Sequence, residues 1–251
     1  MKIPNLVLLL ISFAQFNVFA TSDWSLPAGK SGPIIKREGH IIQYDHNCKV
    51  PYWVSYVVKS SDLIKNVSRT NDFRPDPELH GPQASLEDYR RSGYNRGHMA
   101  RAGLFTRNKK VMSESFILSN IVPQDPYMNQ SGAWRRVEDF EFESIKAFKK
   151  VQIISGPVLE ENMQRIGKNE VCVPNYVFKV LYKDFPVPTA VAFIIPNYRT
   201  SKKFSEYAVT IDELEERTGI DFLPELKDSV ERMVESQFDL NAWDESIHRN
   251  Q

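Results

Sequence analysis

No stretch of this chain is long and apolar enough to cross a membrane. The most apolar run near the N-terminus, Leu6 to Phe13, falls well short of the roughly 20 residues a spanning helix needs, and Gln15 and Asn17 keep it from extending further. Met1 to Ala20 has instead the layout of a signal peptide, with a lone Lys2, a short apolar centre and a small residue at its end. The expectation is therefore an exported protein, secreted or periplasmic, cut after Ala20, with residues 21–251 as one domain. Cysteine is scarce. Only Cys48 and Cys172 occur, and neither stands in a pattern that would make it a nucleophile. In an exported chain an even pair points to a disulfide, with two separate buried thiols as the alternative. His40, His46, His80 and His248 are scattered without the spacing of zinc ligands. Internal repeats and low-complexity tracts are missing, and so is the strand-helix alternation of a doubly wound sheet.

Excess charge is missing as well: 32 basic and 32 acidic residues give a net charge of zero, and loss of Lys2 with a leader would leave −1. Tight non-specific binding of a polyanion draws mostly on Lys and Arg, so the average argues against it. The distribution argues for it. From Tyr89 to Lys110 there are seven basic residues (Arg90, Arg91, Arg96, Arg101, Arg107, Lys109, Lys110) and no acid, whereas Ile211 to Glu245 holds twelve acids and three bases. The first segment is read as a cradle for phosphates and the second as a face turned away from them.

Runs rich in aromatic and β-branched residues predict strands at Ile41 to Tyr44, Tyr52 to Val58, Phe116 to Leu118, Val151 to Ile154, Tyr176 to Leu181 and Ala190 to Ile195. The fold class is α+β: a mainly antiparallel central sheet of about six strands flanked by helices. Asn66 to Asp88 reads as a long ordered loop. The main helix is expected from about Asn129 to Lys149, because Trp134, Val137, Ile145 and Phe148 fall within an arc of ~80° at 100° per residue. Thr210-Ile211-Asp212-Glu213 looks like a capped start of a helix ending at Gly219, and another short helix is expected within Leu226 to Phe238.

The chemistry gathers between residues 95 and 138: Asn95-Arg96-Gly97-His98, then Ser119-Asn120-Ile121-Val122-Pro123-Gln124, Asn129-Gln130 and Trp134-Arg135-Arg136-Val137-Glu138. A histidine can take a proton near neutral pH, an arginine is a fixed cation shaped for phosphate, and asparagine and carboxylate oxygens suit a hard divalent metal. These are the parts of a metal-assisted phosphodiesterase.

With these motifs the chain resembles the DNA/RNA non-specific endonucleases of the ββα-metal type, a family that includes secreted bacterial nucleases and mitochondrial endonuclease G. The family signature is Asp-Arg-Gly-His, and matching blocks run in order on both sides of it. They are Pro51-Tyr52-Trp53-Val54 and Phe73-Arg74-Pro75-Asp76 before it. After it come Ser155-Gly156-Pro157, Val173-Pro174 with Phe178-Lys179-Val180, Ala192-Phe193-Ile194, and Val209 to Glu215 with Arg217-Thr218-Gly219. The resemblance implies a ββα-metal active-site motif with His98 as general base and one Mg²⁺ ion, replaceable by Mn²⁺, whose direct protein ligand is Asn129. It further implies that Arg96 contacts the phosphate, that Asn120 helps orient the histidine or the substrate, and that Glu138 holds the metal's water shell. Asn95, Arg101, Arg74 and Arg135 are the expected substrate contacts, and the partner is DNA or RNA of any sequence.

Three positions depart from the family pattern. Asn95 stands where the family most often has Asp, which removes one negative charge near the metal. The step from Asn129 to Trp134 is one residue longer than usual, and nine residues from Asn129 to Glu138 on one regular helix would place them on opposite faces. A bulge or a late helix start must absorb the extra residue, or Glu138 does not reach the metal shell. Asn71 occupies a place where some members carry a phosphate-binding arginine, leaving Arg69 and Arg74 as substitutes. The departures motivate a second reading, a weakened homologue that binds nucleic acid without cutting it. A third keeps the chemistry and changes the substrate to a phosphodiester outside nucleic acids.

Overall fold

In the computed structural model of the protein, residues 26–241 and 243–244 are described. Eleven strands are present among them: β1 (Ile34–Lys36), β2 (Ile41–Asp45), β3 (Val50–Lys59), β4 (Asn95–His98), β5 (Ile121–Gln124), β6 (Lys150–Val158), β7 (Arg165–Ile166), β8 (Val171–Cys172), β9 (Tyr176–Lys183), β10 (Thr189–Pro196) and β11 (Ala208–Val209). The helices are α1 (Leu86–Tyr89), α2 (Lys109–Glu114), α3 (Pro126–Gln130), α4 (Ala133–Phe148), α5 (Ile211–Thr218) and α6 (Asp228–Glu235). Seven strands form one sheet in the order β1-β2-β3-β6-β9-β10-β11, every neighbour antiparallel. The expected α+β architecture is the observed one, with seven strands in place of about six.

The sheet is buried on both sides, which is why its strands read as nearly continuous apolar runs. Side chains alternate between the faces. Along β9, Val177 and Leu181 join the cluster that includes Trp134, Val137 and Ile145 of α4. Their neighbours Phe178 and Val180 join a second cluster with Ile211, Leu214 and Phe222 beneath α5. Two layers of helix thus cover opposite faces: α5 and α6 lie across the sheet from α4, while Trp243 returns to pack on Phe140 and Phe148 of α4.

Two expectations need correcting. Phe116 to Leu118 is not a sheet strand: Ile117 makes only an isolated bridge to Arg74, and Phe116 is buried as an aromatic plug. The neighbouring strand is β5, whose Pro123 is tolerated because β4 and β5 form a two-stranded ribbon with free edges. The main helix begins at Ala133 rather than near Asn129, since Ser131 and Gly132 are non-helical and separate α3 from α4.

Cys48 and Cys172 are disulfide-bonded across 124 residues of sequence, with Cα atoms 4.9 Å apart. In the chain-entropy account so long a loop stabilises by roughly 4 kcal/mol. The expected signal peptide, Met1 to Ala20, lies outside the described residues.

Candidate active site

The ribbon of β4 and β5 leads directly into α3 and α4, giving strand, strand and helix around one point. Register pairs Asn95 with Gln124 and His98 with Ile121. Gly97 stands where a Cβ would run into the side chain of Gln124, which would have to move. After β5 the chain turns into α3, where Asp125 caps the helix by accepting from the Met128 N–H and Pro126 takes the first turn. The turn is stapled by Asn197, which accepts from the Asp125 N–H and donates to the carbonyls of Pro123 and Pro174.

These elements wall a cleft of about 930 Å³ lined by Asn95, Arg96, His98, Arg101, Asn129, Arg135 and Glu138. Arg69, Asn71, Phe73, Tyr89, Arg90 and Tyr94 complete much of its wall. Asn129 and Glu138 share the cleft because the break at Ser131–Gly132 restarts the helix and absorbs the extra residue. A Cβ on Gly132 would stand 2.8 Å from the Met128 Cα, so glycine permits that sharp restart. The side-chain amide of Asn129 makes no hydrogen bond among the described residues, and the helix cap is Asp125 instead.

His98 is 8% exposed and held between two rings, Phe73 at 5.4 Å and Phe116 at 4.9 Å between centroids. Each ring in turn lies under an arginine: Arg96 over Phe73 at 4.1 Å and Arg69 over Phe116 at 4.7 Å. Burial, then the Arg69 and Arg96 cations, lower the His98 pKa to about 3, so the imidazole is neutral at physiological pH. Its Nε2 has no hydrogen-bond partner. A neutral imidazole on the wall of a cationic cleft can accept a proton from water.

Glu138 is buried and its pKa is raised by that burial, with Lys179 and Arg101 opposing the rise. Arg101 donates to the Glu138 carbonyl at 2.7 Å and sits 3.6 Å from its carboxylate, so part of its charge is already engaged. Arg135 pairs with Asp139 at 2.9 Å and is also partly engaged. Arg96 has no carboxylate partner among the described residues, which leaves its donors for an anion.

Two expected residues stand off the cleft. Arg74 spends its guanidinium on Asp72 and the Ser113 carbonyl and does not line the cleft; Arg69 lies there instead. Asn120 is fully buried and acts on backbone only. It accepts from the Ala100 N–H and donates to the carbonyls of Ala100 and Ser115, clamping the segment just after His98. The basic run is likewise divided: Arg90, Arg96 and Arg101 face the cleft, whereas Arg107 and Lys110 pair with Glu38 and with Asp62 or Glu114.

Sequence reasoning missed what lies beneath the site. Lys179 and Glu141, both fully buried, form an ion pair at 2.7 Å, with Lys179 also donating to the Tyr56 hydroxyl at 3.2 Å. The Tyr56 phenol has one proton, and it goes to Glu141 at 2.8 Å in preference to the Met99 carbonyl at 3.3 Å. That carbonyl, one residue past His98, is served by the Ser155 hydroxyl at 3.0 Å. Strands β3, β6 and β9 are thereby tied to α4 and to the end of β4. Lys179 is visible in the sequence within an apolar strand, but its partner stands 38 residues away.

Comparison with known proteins fixes the family. A family model described as DNA/RNA non-specific endonuclease matches residues 21–229. The chain belongs to the DNA/RNA non-specific endonuclease family. It is 36% identical over 209 residues to the protein of Danio rerio named nuclease EXOG, mitochondrial, covering 75% of this chain and 60% of that one. To human endonuclease G, mitochondrial, it is 30% identical, covering 76% of this chain and 69% of the relative. A nuclease of Nostoc sp. is 28% identical over 82% of this chain and 78% of its own length. A solved structure titled as an EndoG/EndoGI complex superposes with a TM-score of 0.73 at 27% identity, covering 80% of this chain and 89% of that chain. Against the EXOG relatives the chain spans 56 to 60% of their length.

The expected secreted or periplasmic location is overturned by these relatives. EXOG and endonuclease G are named as mitochondrial, and so is a nuclease of Saccharomyces cerevisiae that is 30% identical over 233 residues. The physical reason is that a lone lysine before a short apolar run does not by itself specify an export route.

Proposed function

We propose that the protein is a metal-dependent endonuclease that hydrolyses phosphodiester bonds of DNA and RNA without sequence preference, and that residues 21–251 form one nuclease domain. The observation that carries this reading is a neutral His98 on the wall of an arginine-lined cleft shared with Asn129 and Glu138. The donor set fits Mg²⁺: two amide oxygens and one carboxylate, all hard oxygens, with no thiol at the cleft. Asn129 would be the direct ligand, with Glu138 holding water around the ion and Asn95 contributing an oxygen without charge. Mn²⁺ would serve in its place. When bound, the ion neutralises charge on the phosphate and the leaving oxygen.

The chain's own groups do the rest. The His98 imidazole removes a proton from the attacking water, and Phe73 and Phe116 keep the ring in one orientation. Arg96 and Arg69 hold the phosphate, and because they also depress the histidine's basicity, a bound anion between them would raise it toward the useful range. Asn120 acts as a positioning residue by fixing the backbone after His98. By likeness to the named relatives we infer a mitochondrial address.

Plasmid nicking tests this reading. Wild-type protein should cut supercoiled DNA and an RNA substrate with Mg²⁺ or Mn²⁺ and stop in EDTA. His98→Ala should lower turnover by at least ~10²-fold with little change in binding, the low end for a lost general base. Asn129→Ala should raise the Mg²⁺ concentration needed for half-maximal rate, which His98→Ala should not do. Near-wild-type cutting by His98→Ala would remove the assigned base. Binding without cutting in the wild type would favour the weakened homologue that Asn95 suggests.

A further inference from the structure

Across the sheet from the cleft, α5 and α6 meet over the second apolar cluster, where Ile211, Leu214 and Val234 are buried. On the polar side of that junction Asp212, Glu215 and Glu235 each bring a carboxylate oxygen within 4.8 Å of the others, and Asp221, Glu231 and Glu235 do the same. Glu235 is common to both sets. It is only 6% exposed, and its Oε1 is buried with no hydrogen-bond partner. Such an orphaned acceptor is costly unless something supplies positive charge.

Among the described residues no cation is paired with Glu235. Burial, and then the acids Glu215, Glu231, Asp221 and Asp212, push its carboxyl up to about 8. Nearby Arg217 is turned to Glu160 and stacks on Tyr176. Glu215 has one oxygen committed to the Phe222 N–H at 2.8 Å, leaving the other available. Four carboxylates from α5, the Asp221 turn and α6 thus gather around Glu235, with neither histidine nor cysteine among them.

We propose that this junction is a second cation site, separate from the nuclease cleft, and that it binds Ca²⁺ through Glu235 with Glu215, Glu231, Asp212 and Asp221. An all-oxygen set able to bind through one or two oxygens per carboxylate matches the six to eight ligands Ca²⁺ takes at flexible geometry, whereas Mg²⁺ demands a tight octahedron. The ion satisfies the orphaned Oε1, relieves the mutual repulsion, and locks α6 onto α5 and so onto the sheet.

The test uses the full chain carrying Asn129→Ala, so that the cleft contributes as little metal binding as possible. Equilibrium dialysis with radioactive Ca²⁺ should find one bound ion. At about a hundredfold excess over Kd, Ca²⁺ should raise Tm by roughly 5–10 °C, more than equal Mg²⁺ does. Adding Glu235→Gln should abolish the bound ion and the shift. A second variant, Asp212→Asn with Asp221→Asn, alters only exposed positions and should weaken Ca²⁺ affinity at least tenfold while the protein remains folded. Absence of Ca²⁺ binding in the parent, or unchanged affinity in both variants, overturns the proposal. Because the readouts are binding and Tm, failure here leaves the nuclease reading untouched.

Discussion

Replacing Lys179 by Met would leave Glu141 as a fully buried carboxylate whose cation is gone, with only the Tyr56 hydroxyl still donating to it. Removing one partner of a buried pair costs about 3–5 kcal/mol, because the survivor keeps its desolvation penalty without the Coulombic return. For a domain of this size each kcal/mol moves Tm by roughly 2–4 °C, so the variant should melt about 6–20 °C lower. The double replacement Lys179→Met with Glu141→Leu leaves no buried charge and should recover most of that loss. Activity should not recover in step. Lys179 also opposes the rise in the Glu138 pKa, and the Tyr56–Glu141 contact sets how α4 lies against the end of β4. Thermal melts and plasmid-nicking rates on the wild type, both singles and the double would read the two effects separately. If Lys179→Met costs under about 1 kcal/mol, or the double is as unstable as the sum of the singles, the pair is not the tie between sheet and helix that its burial implies.

Gly97→Ala should destabilise by roughly 1–3 kcal/mol and slow cleavage, since its Cβ would fall 1.9 Å from Gln124 Oε1; Gln124→Ala in the same chain should relieve part of both. Unchanged melting and activity in Gly97→Ala would refute that close approach. Acid should unfold the protein partly through His40 and His98, whose pKa values fall from 6.5 to about 3 through burial. Below pH 6.5 the unfolded chain takes up protons that the folded one refuses, so stability falls with pH until about 3, by roughly 3 kcal/mol per histidine at pH 4.5. Glu235, raised to about 8, acts in the opposite sense between its usual range and that value, so the comparison should be His40→Phe against wild type in urea at pH 7 and pH 5. Equal slopes in the two proteins would refute the assignment. Affinity for an uncleavable duplex should fall steeply with salt. Arg69→Glu with Arg90→Glu should flatten that slope by roughly one unit per lost phosphate contact, whereas Lys109→Glu with Lys110→Glu should not, and the reverse pattern would relocate the binding surface.

The sheet was legible because its signal is local. Tyr52 to Val58 and Tyr176 to Leu181 announce strands by composition alone, and a sheet buried on both faces makes those runs long. The helix stripe of Trp134, Val137, Ile145 and Phe148 was equally plain, but its start was not, since the Ser131–Gly132 break depends on how closely Gly132 seats against Tyr127 and Met128 of α3. Phe116 misled for a related reason. A buried aromatic run is the same pattern whether it enters a sheet or packs against a buried imidazole, and only the position of His98 decides.

The site divides along the same line. His98, Arg96, Asn129 and Glu138 are close enough in sequence for a motif to gather them, and the fold gathers them on one cleft. What the motif could not rank was the arginines. Charge density along the chain favoured the run ending in Lys110, yet a cradle is defined by which cations remain unpaired in space. Arg107 and Lys110 are drawn off by Glu38, itself far away in sequence and lowered in pKa by Asn108 and Lys110, while Arg69 enters from the long loop to stack over Phe116. Arg74, two residues before Asp76 and beside Asp72, is consumed locally before it can reach the cleft. An arginine's place in a binding surface therefore depends on the acids it fails to meet, and those are settled by tertiary contacts that no one-dimensional charge count contains.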